Sequence, residues 1–287
     1  MRCTIPIITI ITLTCNQLEN ATKPFLKSLY TYTPEELFQL IIVDNNSNDG
    51  TREFLEQFKN TKNNIEVIYN EENLGYSKGN NIGLKRVRTQ YIGLLNNDIL
   101  LSPSWLENTI SIFEKGKKVG LVSPKMLMKG KKHDNYLQAT KENYLVKGES
   151  YKLKSIEDFS MYFAPQFSCV LMSKQVLDAV GFLDENFTPA FYEDVDYMAR
   201  VWMAGYKCYV ANKAFFFHNH NQTSSRMEER EKIMERNREY LKEKNYMASE
   251  LERLYTENNQ LKYHIGKYSL SNRILAKLGE IYKWMLK

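Results

Sequence analysis

The sequence has no CxxC pair and only four cysteines, Cys3, Cys15, Cys169 and Cys208, among its 287 residues. Thiols this few and scattered exclude a disulfide framework and a zinc ribbon, and fit reduced side chains in a cytoplasmic protein. No run reaches the roughly 18 apolar residues of a membrane-spanning helix. The N-terminal stretch "IPIITIITL" is broken by Pro6 and by threonines, so it reads as a buried strand rather than a leader. GxxxxGK[ST] is missing, which excludes a P-loop, and so is GxGxxG, which excludes the usual dinucleotide fingerprint. Charge of one sign is also scarce: 39 basic against 34 acidic residues leaves a net +5. That surplus gives no ground for nucleic acid as a partner and leans toward anionic small ligands or an anionic membrane surface.

What is present is ordinary globular material, 43% hydrophobic and 25% charged. The first 125 or so residues alternate strand-like and helix-like segments. "IPIITIITL", "LFQLIIVD", "IEVIY", "QYIGLLN" and "VGLVSPK" read as strands, the first continuous enough to be covered on both faces. Between them lie "NATKPFLKSLY", "TREFLEQFKN", a helix from about Ser77 to Val87, and "SPSWLENTISIFEK", with Ser102 as expected N-cap and Pro103 in the first turn. This alternation predicts an α/β fold with a doubly wound, mostly parallel sheet, whose ligands lie at the carboxyl ends of the strands. Residues from Gly130 to about Ser160 are polar and lysine-rich and read as an excursion over the face of the site. Core character returns with a strand at Phe167–Met172, a helix at Lys174–Val180, a helix from about Glu193 to Ala204 and a strand around Lys207–Val210.

Four stretches carry residues able to do chemistry. "VDNNSNDGT" (Val43–Thr51) and "LLNNDILL" (Leu94–Leu101) put Asp44 and Asp98 at strand ends, although Asx-rich turns form without any function. In "FYEDVDYMARVW", Glu193, Asp194 and Asp196 cluster at a helix start. Simple complementation of the helix dipole explains such a cluster, with Arg200 pairing Asp196 one turn on; acids beside aromatic residues are equally candidates for a general base. "FFFHNHNQTSSR" follows an apolar strand with His218 and His220, which share a face if the strand continues.

The order of these pieces, with "NLGYSKGNNIGL" between the first two and "GFLDENFTPAFYEDVDYMAR" before the last, resembles the family 2 glycosyltransferases of the GT-A fold. Within that family the chain looks most like the bacterial rhamnosyltransferase-like branch. The resemblance covers roughly residues 5 to 225 and implies an inverting, metal-dependent and non-processive transferase. Such an enzyme moves one hexosyl or deoxyhexosyl unit from a nucleotide-diphosphate sugar to a hydroxyl of a cell-surface glycan, lipopolysaccharide precursor or lipid-linked acceptor. It also implies roles: Thr12, Thr14, Asp44, Asn46, Lys78, Asn96 and Asn97 at the donor, and Asp98 with His218 or His220 at Mg²⁺ or Mn²⁺. Asp194, with Glu193 beside it, would be the catalytic base. Asn96 stands where a DxD motif has its first acid, which weakens the expected metal site. The competing reading is a non-catalytic glycan-binding or coiled-coil scaffold with a degenerate site.

This reading divides the chain into a transferase domain at 1–225, a helical or coiled-coil segment at 226–268 and a basic amphipathic helix at 269–287. Met247, Leu251, Leu254, Asn258, Leu261, Ile265 and Tyr268 form a heptad seam, extendable to Tyr240 if Lys244 takes a core position, and suited to a homodimer through 240–268. Leu270, Ile274, Leu278 and Ile281, interspersed with Arg273, Lys277 and Lys283, suit peripheral contact with the inner face of the cytoplasmic membrane.

Overall fold

The structure, a computed structural model, describes residues 6–129, 136–155, 157–161, 167–219 and 229–244. The heptad seam beyond Lys244, the terminal basic helix and His220 lie outside those residues.

The expected alternation is present. β1 (Ile8–Thr14) leads to α1 (Lys23–Tyr32), β2 (Phe38–Asn45) to α2 (Thr51–Lys59), β3 (Ile65–Asn70) to α3 (Gly75–Leu84), and β4 (Tyr91–Leu95) through the two-residue β5 (Ile99–Leu100) to α4 (Trp105–Lys115). β6 (Val119–Met128) follows. β1 and β2 are buried almost throughout because helices cover both sides. Phe38, Leu40 and Ile42 face a core with Phe25, Leu55 and Trp105, whereas Ile41 and Val43 face one with Leu84, Tyr197 and Val201. α4 begins at Trp105, later than expected. Its preceding residue is Ser104 in the left-handed region, while the Ser102 hydroxyl is spent on the Phe215 carbonyl at 2.5 Å. A tertiary acceptor has taken the side chain that local pattern assigned to a cap.

The second half completes the sheet differently. It contributes β7 (Tyr136–Gln138), α5 (Tyr144–Lys154), β8 (Phe159–Met161), β9 (Cys169–Ser173), α6 (Lys174–Val180), α7 (Glu193–Met203), β10 (Lys207–His218) and α8 (Arg230–Lys244). The main path runs β3-β2-β1-β4-β9-β6-β10-β5. The β3-β2-β1-β4 half is parallel, but β9 enters antiparallel between β4 and β6, so the sheet as a whole is mixed. An apolar run such as "CVLM" records that both faces are covered; it carries no sign of strand direction. The polar excursion also holds regular structure. Tyr144 of α5 donates to the Leu101 carbonyl at 2.8 Å, and Gly148 leaves room for the Phe215 ring, which a Cβ there would approach to 2.2 Å.

Candidate active site

A cleft of about 340 Å³ opens at the carboxyl ends of β1, β2 and β4. Its walls include Thr14, Asn45, Asn73, Tyr76, Asn96, Asn97, Asp98, Glu193, Asp194 and His218. Seven of the residues expected from sequence therefore meet there: Thr14, Asn96, Asn97, Asp98, Glu193, Asp194 and His218. Four others do not line it, and a fifth, His220, lies outside the described residues. Asp44 lies beneath, fully buried; Thr12 is buried in β1 with no hydrogen bond to its hydroxyl among the described residues; Asn46 and Lys78 are exposed outside the lining.

Each wall has its own construction. Asp44 is held by three donors: the Thr14 hydroxyl at 2.9 Å, the Ser47 amide at 3.1 Å and the Arg52 Nε at 2.8 Å. A fully buried carboxylate needs such partners, since desolvation of an unpaired charge costs several kcal/mol. Asn45, next to it, accepts from Asn70 Nδ2 at 2.8 Å and donates to the Gly75 carbonyl at 3.2 Å, tying β2 to β3 and α3. Gly79 and Gly83 let α3 approach the sheet closely, a Cβ on Gly83 falling 2.6 Å from Ile11.

Asp98 and His218 are 120 positions apart and are joined by strand pairing. β10 runs antiparallel to β5 with His218 opposite Ile99, and the Asn219 amide donates to the Asp98 carbonyl at 2.9 Å. His218 Nε2 then lies 3.1 Å from Asp98 Oδ1, both side chains about a tenth exposed. Among the described residues no three His, Cys, Asp or Glu side chains converge on one point. Asp98 and His218 nonetheless fit a divalent cation of the kind that takes one or two protein ligands and completes its shell with phosphate oxygens and water. Asn96 and Asn97 carry no charge to add; the Asn96 backbone N–H donates to Ser168 O at 2.9 Å, and Asn97 Nδ2 donates to the Thr22 hydroxyl at 3.1 Å.

The opposite wall is the start of α7. Phe191 and Tyr192, immediately before it, both have positive φ, 80° and 72°, and this turn delivers Glu193 and Asp194 into the cleft. Asp194 Oδ1 accepts from the Val195 amide at 2.8 Å, whereas Glu193 Oε2 is buried with no hydrogen bond among the described residues. Burial, reinforced by the neighbouring Asp194, pushes the Glu193 carboxyl up to about 8; burial also raises Asp194. Asp196 turns away, bound by Arg200 at 2.9 Å and Lys244 at 2.7 Å, so its predicted partner one turn on is the real one.

Sequence reasoning missed Asn45 and Tyr76, although both stand inside the runs already singled out. The Tyr76 hydroxyl donates to the Phe167 carbonyl at 3.0 Å, and burial together with the Glu193 and Asp194 charges holds its proton well above the usual phenol range. Gly75, with φ 75°, lets the α3 N-terminus meet the 188–192 loop: the Tyr76 amide donates to Pro189 O at 2.7 Å, and a Cβ on Gly75 would lie 2.6 Å from that oxygen.

The mixed sheet, two-sided helical layers and strand-end cleft are those of the GT-A fold. The solved structure of GalNAc-T7 with UDP, GalNAc and Mn2+ has the same fold, with a TM-score of 0.62 and 14% identity over 76% of this chain and 45% of that one. Residues 9–181 match Glycosyl transferase family 2, and the chain belongs to that family. It is similar to an uncharacterized protein, y4gI, of Sinorhizobium fredii, at 26% identity over 70% of this chain and 23% of that one. It is also similar to the glycosyltransferase AglE of Haloferax volcanii, at 30% identity over 42% of this chain and 40% of that one. The chain thus spans less than half the length of either relative. The family match ends before Glu193, Asp194 and His218.

Proposed function

We propose that this chain is an inverting, metal-dependent glycosyltransferase of the rhamnosyltransferase-like branch. It would transfer one hexosyl or deoxyhexosyl unit from a nucleotide-diphosphate sugar to a hydroxyl of a bacterial cell-surface glycan or lipid-linked acceptor. One observation carries the reading. Asp98 with His218, and Glu193 with Asp194, face a single cleft at the strand ends of a GT-A sheet. GalNAc-T7, similar in fold, was solved with UDP and Mn2+, which supports a nucleotide-sugar donor and a divalent cation here.

Asp98 and His218 are the residues that would hold Mg²⁺ or Mn²⁺, and such a cation supplies charge neutralisation for a leaving diphosphate. Thr14, Asn45 and the Asp44 turn form the floor for the nucleotide. Asp194 accepts the proton of the acceptor hydroxyl as its oxygen bonds to the anomeric carbon. The bond from that carbon to the diphosphate breaks, and the nucleoside diphosphate leaves with the electron pair. A single displacement without a protein nucleophile inverts the anomeric centre. Burial beside Asp194 raises the Glu193 carboxyl, which favours a single negative charge on the pair, and a protonated Glu193 can donate a hydrogen bond to the bound sugar or acceptor.

Purified protein assayed with UDP-, dTDP- and GDP-sugars, with Mg²⁺, Mn²⁺ or EDTA, tests this reading. Release of one nucleoside diphosphate should require metal and should fall by about 100-fold in Asp98→Ala. Binding of no donor at all would favour the scaffold reading.

A further inference from the structure

The turn before the acid pair adopts backbone angles that bulky L-residues disfavour, with Phe191 and Tyr192 consecutively left-handed. Such a turn persists only where surroundings hold it. α3 holds one side, through the Tyr76 amide and Pro189 O. The other side is held by α8, whose sequence is merely charged and helical.

Asn237 of α8 is 1% exposed, and its Nδ2 donates to both Ala190 O at 2.9 Å and Phe191 O at 3.0 Å. Its Oδ1 accepts from Arg236 Nε at 3.1 Å and from Arg236 Nη2 at 2.8 Å, which fixes the direction of the amide. Arg236 also donates to the Thr188 carbonyl. Further along the helix, Leu241 packs with Phe187 and Ala199, Tyr240 stacks edge-on to Phe187 at 5.1 Å, and Lys244 Nζ lies 2.7 Å from Asp196 Oδ1. The seam positions Tyr240 and Lys244 are therefore committed to the transferase body.

We propose that Asn237 is the positioning residue of the acid pair. Its amide fixes two successive carbonyls of the turn and thereby the angle at which Glu193 and Asp194 enter the cleft. This rests on reading the cleft as a transferase site. Asn237 touches no reacting atom and acts only through the 190–192 backbone.

The test compares full-length wild type, Asn237→Ala, the isosteric Asn237→Asp and the exposed control Lys232→Ala. Amide exchange is read by mass spectrometry, and donor KM and kcat are measured under metal saturation. Both Asn237 variants should lower kcat by on the order of 10- to 100-fold with donor KM within twofold. Exchange should accelerate at 188–194 and not in β1, and Lys232→Ala should match wild type. A kcat within twofold of wild type, or unchanged exchange at 188–194, overturns the proposal, as does acceleration throughout the chain. Should Asn237→Ala not fold, Arg236→Ala, which releases the amide, must show the same pattern at smaller size. If wild type binds no donor, the reading of the cleft fails; in that case, or if donor binds without turnover, exchange alone decides whether Asn237 holds the turn.

Discussion

The two walls of the cleft are built by different means. The Asp44 wall is mostly local: strand, Asx-rich turn and helix follow one another directly, and Ser47 and Arg52 both donate to Asp44, with Thr14, 30 positions earlier, as its distant donor. The acid wall is assembled from distant chain. Glu193 and Asp194 reach the cleft because α3, about 115 positions earlier, and α8, about 45 later, grip the turn before them. Partners in the first wall neutralise its carboxylate, whereas the second sets a buried Glu193 beside a half-buried Asp194, and Glu193 Oε2 has no hydrogen bond among the described residues. A satisfied charge is a structural fixture; an unsatisfied one is poised for a ligand or a proton.

Substitutions can separate the walls. Asp194→Asn keeps the acceptor for the Val195 amide but removes the base, and should cut turnover by about 10³-fold with donor affinity intact, measured by steady-state kinetics and calorimetry. Arg52→Ala attacks the other wall by leaving Asp44 fully buried without its cation. It should cost about 3 kcal/mol in urea unfolding, because removing one partner strands a buried charge. Gly75→Ala strikes the joint between them. A Cβ at positive φ and against Pro189 O should cost about 2 kcal/mol in the same assay and lower turnover as well.

The last effect is on pH dependence. Glu193 is raised from 4.5 to about 8, so between those values the folded protein holds a proton that the unfolded chain has lost. Stability should therefore decline as pH rises through that window, and Glu193→Gln should flatten the slope. A wild-type slope no steeper than the variant's would show that the acid wall is no more strained than the Asp44 wall.

How legible each wall was follows from the same contrast. β1, β2 and the turn at Asp44 could be placed because apolar continuity and Asx chemistry act over a few residues. Asp98 could be singled out for the same reason. The start of α7 was also visible as an acidic helix N-terminus, though two readings of it stood side by side. Lys78 shows the limit: its motif was noticed, yet helical phase put the lysine outside and gave the cleft Tyr76 instead. Ser102 shows it again, since a hydroxyl suited to capping found a carbonyl 113 positions away.

Short-range pattern was enough for the α/β alternation, the two-sided burial of the first strand and the set of polar runs from which a site could be built. Those are properties of short-range periodicity and turn chemistry. Long-range packing alone made β9 antiparallel and brought His218 to Asp98 through the β5–β10 register. It alone placed an asparagine from a charged helix behind the acid pair. Pairing register and the meeting of distant side chains depend on which surfaces bury each other, and no local pattern encodes that.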